Sequence, residues 1–96
     1  MAGYVIGQIN DIGDEDGFRV YQDGAFPTLA QYDGKVVINS AKIDPADGGW
    51  SPAMIVVVQC ESVEQAQKWY QSPEYHAVIG QRSDSSKGSV IIVDGD

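Results

Sequence analysis

Met54-Ile55-Val56-Val57-Val58 is an unbroken apolar run of strand length, and Glu61-Ser62-Val63-Glu64-Gln65 follows directly after Gln59-Cys60. A run of β-branched residues with no polar alternation predicts a central strand covered on both faces. Ser62 with Gln65 three residues on fits a capping box, so a helix starts here, with Val63, Ala66, Trp69 and Tyr70 as its buried stripe. Ser72-Pro73-Glu74 interrupts that helix. Ser72 as cap and Pro73 in the first turn predict a second short segment, running to about Arg82.

Upstream, Tyr4 to Ile9 predicts a first strand ahead of the turn-forming Asn10-Asp11-Ile12-Gly13. Asp14 can cap a helix whose first turn carries Glu15 and Asp16, and Phe18, Tyr21, Ala25, Leu29 and Tyr32 recur at helical spacing. Pro27 predicts a kink or break near Gly24 to Phe26, and Gly34 is expected to end the helix in the left-handed conformation. Lys35 to Ile43 reads as a strand leaving the core, and Asp44 to Pro52, with two prolines, two glycines and Trp50, as a long loop. Downstream, Asp84-Ser85-Ser86 reads as a polar connection and Val90 to Val93 as the last strand.

Strand, helix, strand, strand, helix, strand is the ferredoxin-like α+β order, βαββαβ: a four-stranded antiparallel sheet with two helices on one face. A faint repeat supports two similar halves, Gly34-Lys35-Val36-Val37-Ile38 matching Gly88-Ser89-Val90-Ile91-Ile92. Residues 1–96 make one domain. Because the strands are apolar at successive positions, both sheet faces are apolar while the helices cover one. A homodimer closed through the open sheet face, a dimeric α+β barrel, is the expected remedy.

The 96 residues carry 14 Asp and Glu against 6 Lys and Arg, a formal charge of -8, which repels phosphate backbones and anionic surfaces. No nucleic-acid partner is expected. With no apolar run near the ~20 residues that span a bilayer, no membrane partner is expected either, and the chain reads as cytoplasmic. One cysteine, Cys60, makes no internal disulfide and no thiolate metal centre, and it reads as a small buried hydrophobe. The Asp44 to Gly49 segment and the other acidic runs read as solvated surface. No metal and no cofactor are expected, since neither a phosphate-binding glycine loop nor a nucleophile elbow is present.

The chemistry-bearing candidates are few. His76 is the only histidine, suited to proton transfer near neutral pH, though on general grounds an exposed or structurally bonded side chain is the commoner reading. Tyr75, Ile79 and Arg82 stand at i, i+4 and i+7, so phenol and guanidinium share a helix face with room for an anionic ligand. The competing reading packs Tyr75 in the core and pairs Arg82 with a nearby carboxylate. Tyr32 and Trp69, with Tyr21, Phe26 and Tyr70, can wall an apolar pocket or simply pack. Trp50 in its glycine-rich loop should cover a partner subunit or lid a pocket.

The chain resembles the family called domain of unknown function 1330, of the dimeric α+β barrel superfamily. The resemblance rests on Tyr4-Val5-Ile6, Asp14 with Phe18 and Tyr21, Pro27-Thr28 leading to Tyr32-Asp33-Gly34, Trp50 with Pro52, Ala66 to Trp69-Tyr70, Ser72-Pro73-Glu74-Tyr75, Arg82 and Val93-Asp94-Gly95. Gln59-Cys60 departs from a Glu-Phe pair that the family tends to carry, and Asp33 stands where it often has a second glycine. The resemblance implies a ferredoxin-like dimer and brings no established reaction. Superfamily relatives include cofactor-free oxygenases, lactone isomerases and dehydrohalogenases. Two functions therefore stand side by side: a cofactor-independent enzyme acting on a small anionic or aromatic metabolite through His76 or Tyr75 and Arg82, or a non-catalytic dimer that binds a metabolite or protein.

Overall fold

The computed structural model describes residues 2–95. Strand β1 (Gly3–Ile12) leads into helix α1 (Glu15–Leu29), a single 3₁₀ turn (Ala30–Tyr32) and strand β2 (Lys35–Ser40). Strand β3 (Met54–Cys60), helices α2 (Val63–Tyr70) and α3 (Pro73–Ser85) and strand β4 (Ser86–Asp94) complete the chain. All neighbouring strands are antiparallel in the order β2-β3-β1-β4. This is the ferredoxin-like arrangement expected from the sequence, and the two halves of the internal repeat form the two edge strands.

Strand periodicity decides where the core lies. Val5 of β1 and Val58 and Cys60 of β3 are buried beneath the helices, where they cluster with Ala25, Leu29, Ala66, Trp69 and Tyr75, and Ile9 of β1 is buried on the same side. The alternate residues point the other way. On that open side Ile38, Val57, Ile6 and Ile91 stand opposite one another in a row across all four strands. Ile38 and Ile91 are about half exposed, at 47% and 55%.

The helix starts follow local chemistry. The Asp14 carboxylate accepts from the Gly17 N–H at 3.0 Å, the Ser62 hydroxyl from Gln65 N–H at 3.1 Å and the Ser72 hydroxyl from Tyr75 N–H at 3.1 Å. Each side chain satisfies a backbone donor that has no partner within its helix. Only half of the predicted capping box forms, because the Gln65 amide donates to the Tyr32 carbonyl at 3.1 Å instead.

Four sequence expectations need correction. Pro27 does not break α1, which runs through it to Leu29. The carbonyl deprived of its helical donor belongs to Asp23 on the exposed side, and the Thr28 hydroxyl donates to the Ala25 carbonyl at 2.6 Å. The left-handed residue after the helix is Asp33, at φ 58°, not Gly34. Gly34 is needed for room, since a Cβ there would lie 2.9 Å from Leu29 Cδ2. Strand β2 stops at Ser40, whose hydroxyl accepts from the Lys42 N–H at 3.0 Å and turns the chain before Ile43.

Finally, there is no polar connection at Asp84-Ser85-Ser86. Helix α3 passes straight into β4, because Ser85 and Ser86 hydroxyls donate to the carbonyls of Gln81 and Arg82 at 2.6 and 2.7 Å and satisfy the helix end. Strand β4 consequently starts four residues earlier than its apolar core predicts.

Two substitutions test this account in urea titrations. Ser72→Ala should lower stability by about 1–2 kcal/mol through loss of the α3 cap. Asp33→Gly should raise it by about 0.5 kcal/mol, because glycine adopts positive φ without Cβ strain.

Candidate functional site

Helices α1, α2 and α3 and the covered face of the sheet enclose a narrow apolar cleft with about 40 Å³ of space. Val5, Ile9, Val56, Val58 and Val90 form its floor, and Phe18, Ala25, Phe26, Leu29 and Trp69 its walls. The polar groups that reach it are Tyr21 and Gln22 of α1 and Tyr75 and Arg82 of α3.

Tyr75 is placed by the Ser72 cap and Pro73, which fix the first turn of α3 so that its third residue points inward. It is fully buried, at 0% exposure. Its ring lies 4.2 Å from that of Trp69 and 5.5 Å from that of Tyr70. Trp69 is held by its own indole N–H, which donates to the Thr28 hydroxyl at 2.7 Å. The Tyr75 hydroxyl meets that of Tyr21 at 2.8 Å and accepts from the Arg82 guanidinium at 3.1 Å.

The phenol–guanidinium face predicted from spacing therefore forms, in a way neither sequence reading anticipated. Tyr75 belongs to the core, yet among the described residues Arg82 makes no ion pair. Among the described residues the one salt bridge is Arg19–Asp16, on the surface. Glu74, the carboxylate next to Tyr75 in sequence, accepts instead from Tyr32 at 2.8 Å.

The hydroxyl count is informative. Tyr21 and Tyr75 own two O–H groups between them and share one hydrogen bond, while Arg82 is donor only. Whichever phenol donates in the shared bond, one phenolic proton remains for a further acceptor at the cleft. Burial pushes the Tyr21 phenol well above its ordinary value, and the neighbouring Tyr75 adds to it. Burial also raises Tyr75, against the hydrogen bond shared with Tyr21 and the charge of Arg82, which pull it down. For Arg82, burial pulls down, but the facing phenols of Tyr75, Tyr21 and Tyr70 outweigh it and keep the guanidinium charged. The result is a neutral proton donor pair beside a fixed cation in a mostly apolar cleft, a setting suited to an anionic or anion-forming oxygen.

Of the other sequence candidates, Trp69 lines the cleft and three lie away from it. His76 is on the exposed side of α3, its ring 6.4 Å from Tyr70. Tyr32 stands over Glu74, whose hydrogen bond raises its phenol above the usual range. Trp50 is 60% exposed on the loop between β2 and β3. Sequence reasoning treated Tyr21 only as a wall, since nothing local announces a hydroxyl partner 54 residues away. Cys60 is buried as expected, and burial raises its thiol.

The phenols make stability pH-dependent. Tyr21 and Tyr75 ionise less readily folded than unfolded, so their contribution is fully present below the unfolded value near pH ~10 and is lost as pH rises through the folded values. In an alkaline titration followed by tyrosinate absorbance, Tyr21→Phe and Tyr75→Phe should each remove part of the late-ionising phase.

Solved structures share this fold at low identity. SnoaB, a cofactor-independent oxygenase from Streptomyces nogalater, superposes with TM-score 0.72 at 7% identity, covering 99% of this chain and 93% of that one. A hydroxynitrile lyase from Passiflora edulis gives TM-score 0.69 at 11% identity, with coverage of 99% and 93%. A dimeric ferredoxin-like protein of unknown function from Bacteroides fragilis gives 0.56 at 8% identity, with coverage of 97% and 94%. At such identities the likeness is one of fold. No curated protein matches the chain. Across residues 2–96 the chain matches one family model, and it belongs to that family, described as a domain of unknown function, DUF1330.

Proposed function

We propose that the chain is a homodimeric, cofactor-independent enzyme that takes a small acid or aromatic anion into the cleft. Arg82 holds the anion, and the Tyr75–Tyr21 pair presents a proton to an oxygen of the ligand. The observation that carries this reading is a half-buried guanidinium that makes no ion pair among the described residues and donates to a fully buried phenol. A partly buried cation kept from carboxylates in a chain with 14 of them is more economically explained by a ligand's anion than by packing. The 40 Å³ of space suits a methyl branch or the edge of a ring, so the ligand is small. Because both phenols favour the protonated form, they act as donors toward a developing oxyanion rather than as bases. Trp69 packs beneath the proton-carrying ring. His76, on the far side of α3, is given no step, and Trp50 is assigned to the subunit contact rather than to the cleft.

The dimer is supported by the Ile38, Val57, Ile6 and Ile91 row, an apolar stripe across the open sheet face. One solved relative of this fold is described as dimeric. Pairing two such faces hides both stripes and closes the barrel. The alternative, a non-catalytic binding dimer, is favoured by one observation: the Tyr75 hydroxyl already has two partners without a ligand.

Sedimentation should give twice the chain mass for the wild type and one chain mass for Ile91→Asp, a change at an exposed position that the isolated fold tolerates. A thermal-shift screen against small carboxylates, phenols and lactones tests the cleft. A ligand at a hundred times its dissociation constant adds ~2.7 kcal/mol of stability. Arg82→Ala should weaken binding at least about tenfold. Tyr75→Phe should retain binding and cut turnover by about a hundredfold or more. A flat screen removes the reading, and binding that Tyr75→Phe leaves intact with no turnover in the wild type selects the non-catalytic alternative.

A further inference from the structure

Gly7 stands in the middle of β1, an interior strand, between Val5 and Ile9 on the side that faces the helices, and it lines the cleft. A glycine inside a strand gives up backbone entropy and a side chain to pack. Its place therefore needs a reason: a bulge, a backbone conformation closed to other residues, a crowding neighbour or the close approach of a ligand. The first three fail at Gly7. The β1–β3 register runs unbroken from Gly3 to Ile9, and the irregularity against β4 falls between Ile9 and Asp11. Positive φ among the described glycines belongs to Gly48 and Gly49. A Cβ on Gly7 would meet nothing closer than the Val56 carbonyl oxygen at 3.8 Å, an ordinary van der Waals contact. Gly3 and Gly88 differ, since a Cβ would come 2.5 Å from the Ser62 backbone and 2.1 Å from the Gln8 carbonyl oxygen, so crowding alone accounts for them.

What the missing side chain leaves is room. Val56 and Val90 pair with Gly7 from the two neighbouring strands and both line the cleft, so the floor at this level is a notch between two valines. Position along the strand gives the cleft a direction. Arg82 also borders a second space with Gln8, Ile9, Gly88 and Val90, which sets it toward the Ile9 end, whereas Val5 and Val58, 4% and 3% exposed, close the other end. Gly7 lies between the two ends, about 7 Å from Ile9 by the rise of a strand. We propose that Gly7 is a specificity-determining residue, whose absent Cβ sets how long an apolar group the cleft accepts. Resting on the function proposed above, this makes the preferred ligand a monocarboxylic acid with one short, compact apolar tail: the carboxylate meets Arg82, and the tail passes over Gly7 and stops against Val5 and Val58.

The test is calorimetric titration of the intact protein with straight-chain carboxylates from acetate to octanoate, and with benzoate and para-methylbenzoate. In the wild type each added methylene should tighten binding about three- to fourfold until the cleft is full, after which overpacking weakens it. The methyl group that Gly7→Ala adds takes up about the space of one methylene. In whichever series binds, it should move the tightest straight-chain acid one carbon shorter or weaken para-methylbenzoate relative to benzoate by about threefold or more. The urea midpoint of Gly7→Ala should rise at the same time. Gly80→Ala makes the same change at an exposed helical site where an added Cβ has nothing within 4 Å, and it should raise the midpoint while leaving the ligand preference unchanged. A length preference that Gly7→Ala leaves as in the wild type overturns the inference, and so does a lowered urea midpoint, which would make the glycine structural. In either case Arg82-dependent binding of any of these acids leaves the proposed function standing. No Arg82-dependent binding in either series removes both.

Discussion

The helical layer is organised around the burial of one phenol. Tyr75 sits at 0% exposure with its ring against Trp69, and its hydroxyl is gripped by Tyr21 from α1 and Arg82 from its own helix. A buried hydroxyl must be hydrogen-bonded or cost a desolvation penalty of about 1–3 kcal/mol. That requirement brings α1 and α3 to a common point, and the Trp69–Thr28 bond ties α2 to α1 in the same way. Remove the phenol's oxygen and the guanidinium loses a partner in the interior. The cleft thus exists because the polar group at its end needs a fixed geometry, and the apolar walls follow from what surrounds that group.

The sheet obeys a second constraint, its period of two. Every residue that turns Val5 or Val58 toward the helices turns Ile6 or Val57 toward the opposite side. An apolar residue at each successive position leaves no arrangement of a single sheet that buries both sets, and the helices are all on one side. Two copies face to face satisfy the second set without altering the first, so the proposed dimer and the covered core draw on alternate letters of the same strands.

This division explains what was legible in the sequence. Caps at Asp14, Ser62 and Ser72 act within three residues, and all three form as local chemistry predicts. Strand identity and the two-sided apolar pattern are equally local, so the fold follows. Errors arose where tertiary context supplied a partner that a local rule assumed missing: Pro27 continues its helix, and the Ser85 and Ser86 hydroxyls bond the last α3 carbonyls so that no connecting loop is needed. Asp33 rather than Gly34 takes the positive φ because Gly34 is reserved for contact with Leu29. At the candidate site, helical spacing placed Tyr75 and Arg82 together. The Tyr21 hydroxyl, 54 residues away in sequence, and the absence, among the described residues, of a carboxylate from the cleft walls are facts of assembly that spacing cannot carry.

The overall charge gives the site its final physical character. At -8 the surface repels any acid at long range, and at ordinary ionic strength that repulsion decays over a Debye length of about 10 Å. The attraction of Arg82 acts at contact distance inside a cleft with few polar neighbours, where salt screens far less. Raising salt therefore suppresses the repulsive approach more than the attractive contact. An acid bound by the cleft would lose little affinity as salt increases and would associate faster, the reverse of an anion captured by an exposed basic patch. Under the proposed function, a surface this acidic with its cation recessed beside the phenols would exclude anions in general and admit those whose apolar part fits the cleft, so selectivity would arise from where the carboxylates are not.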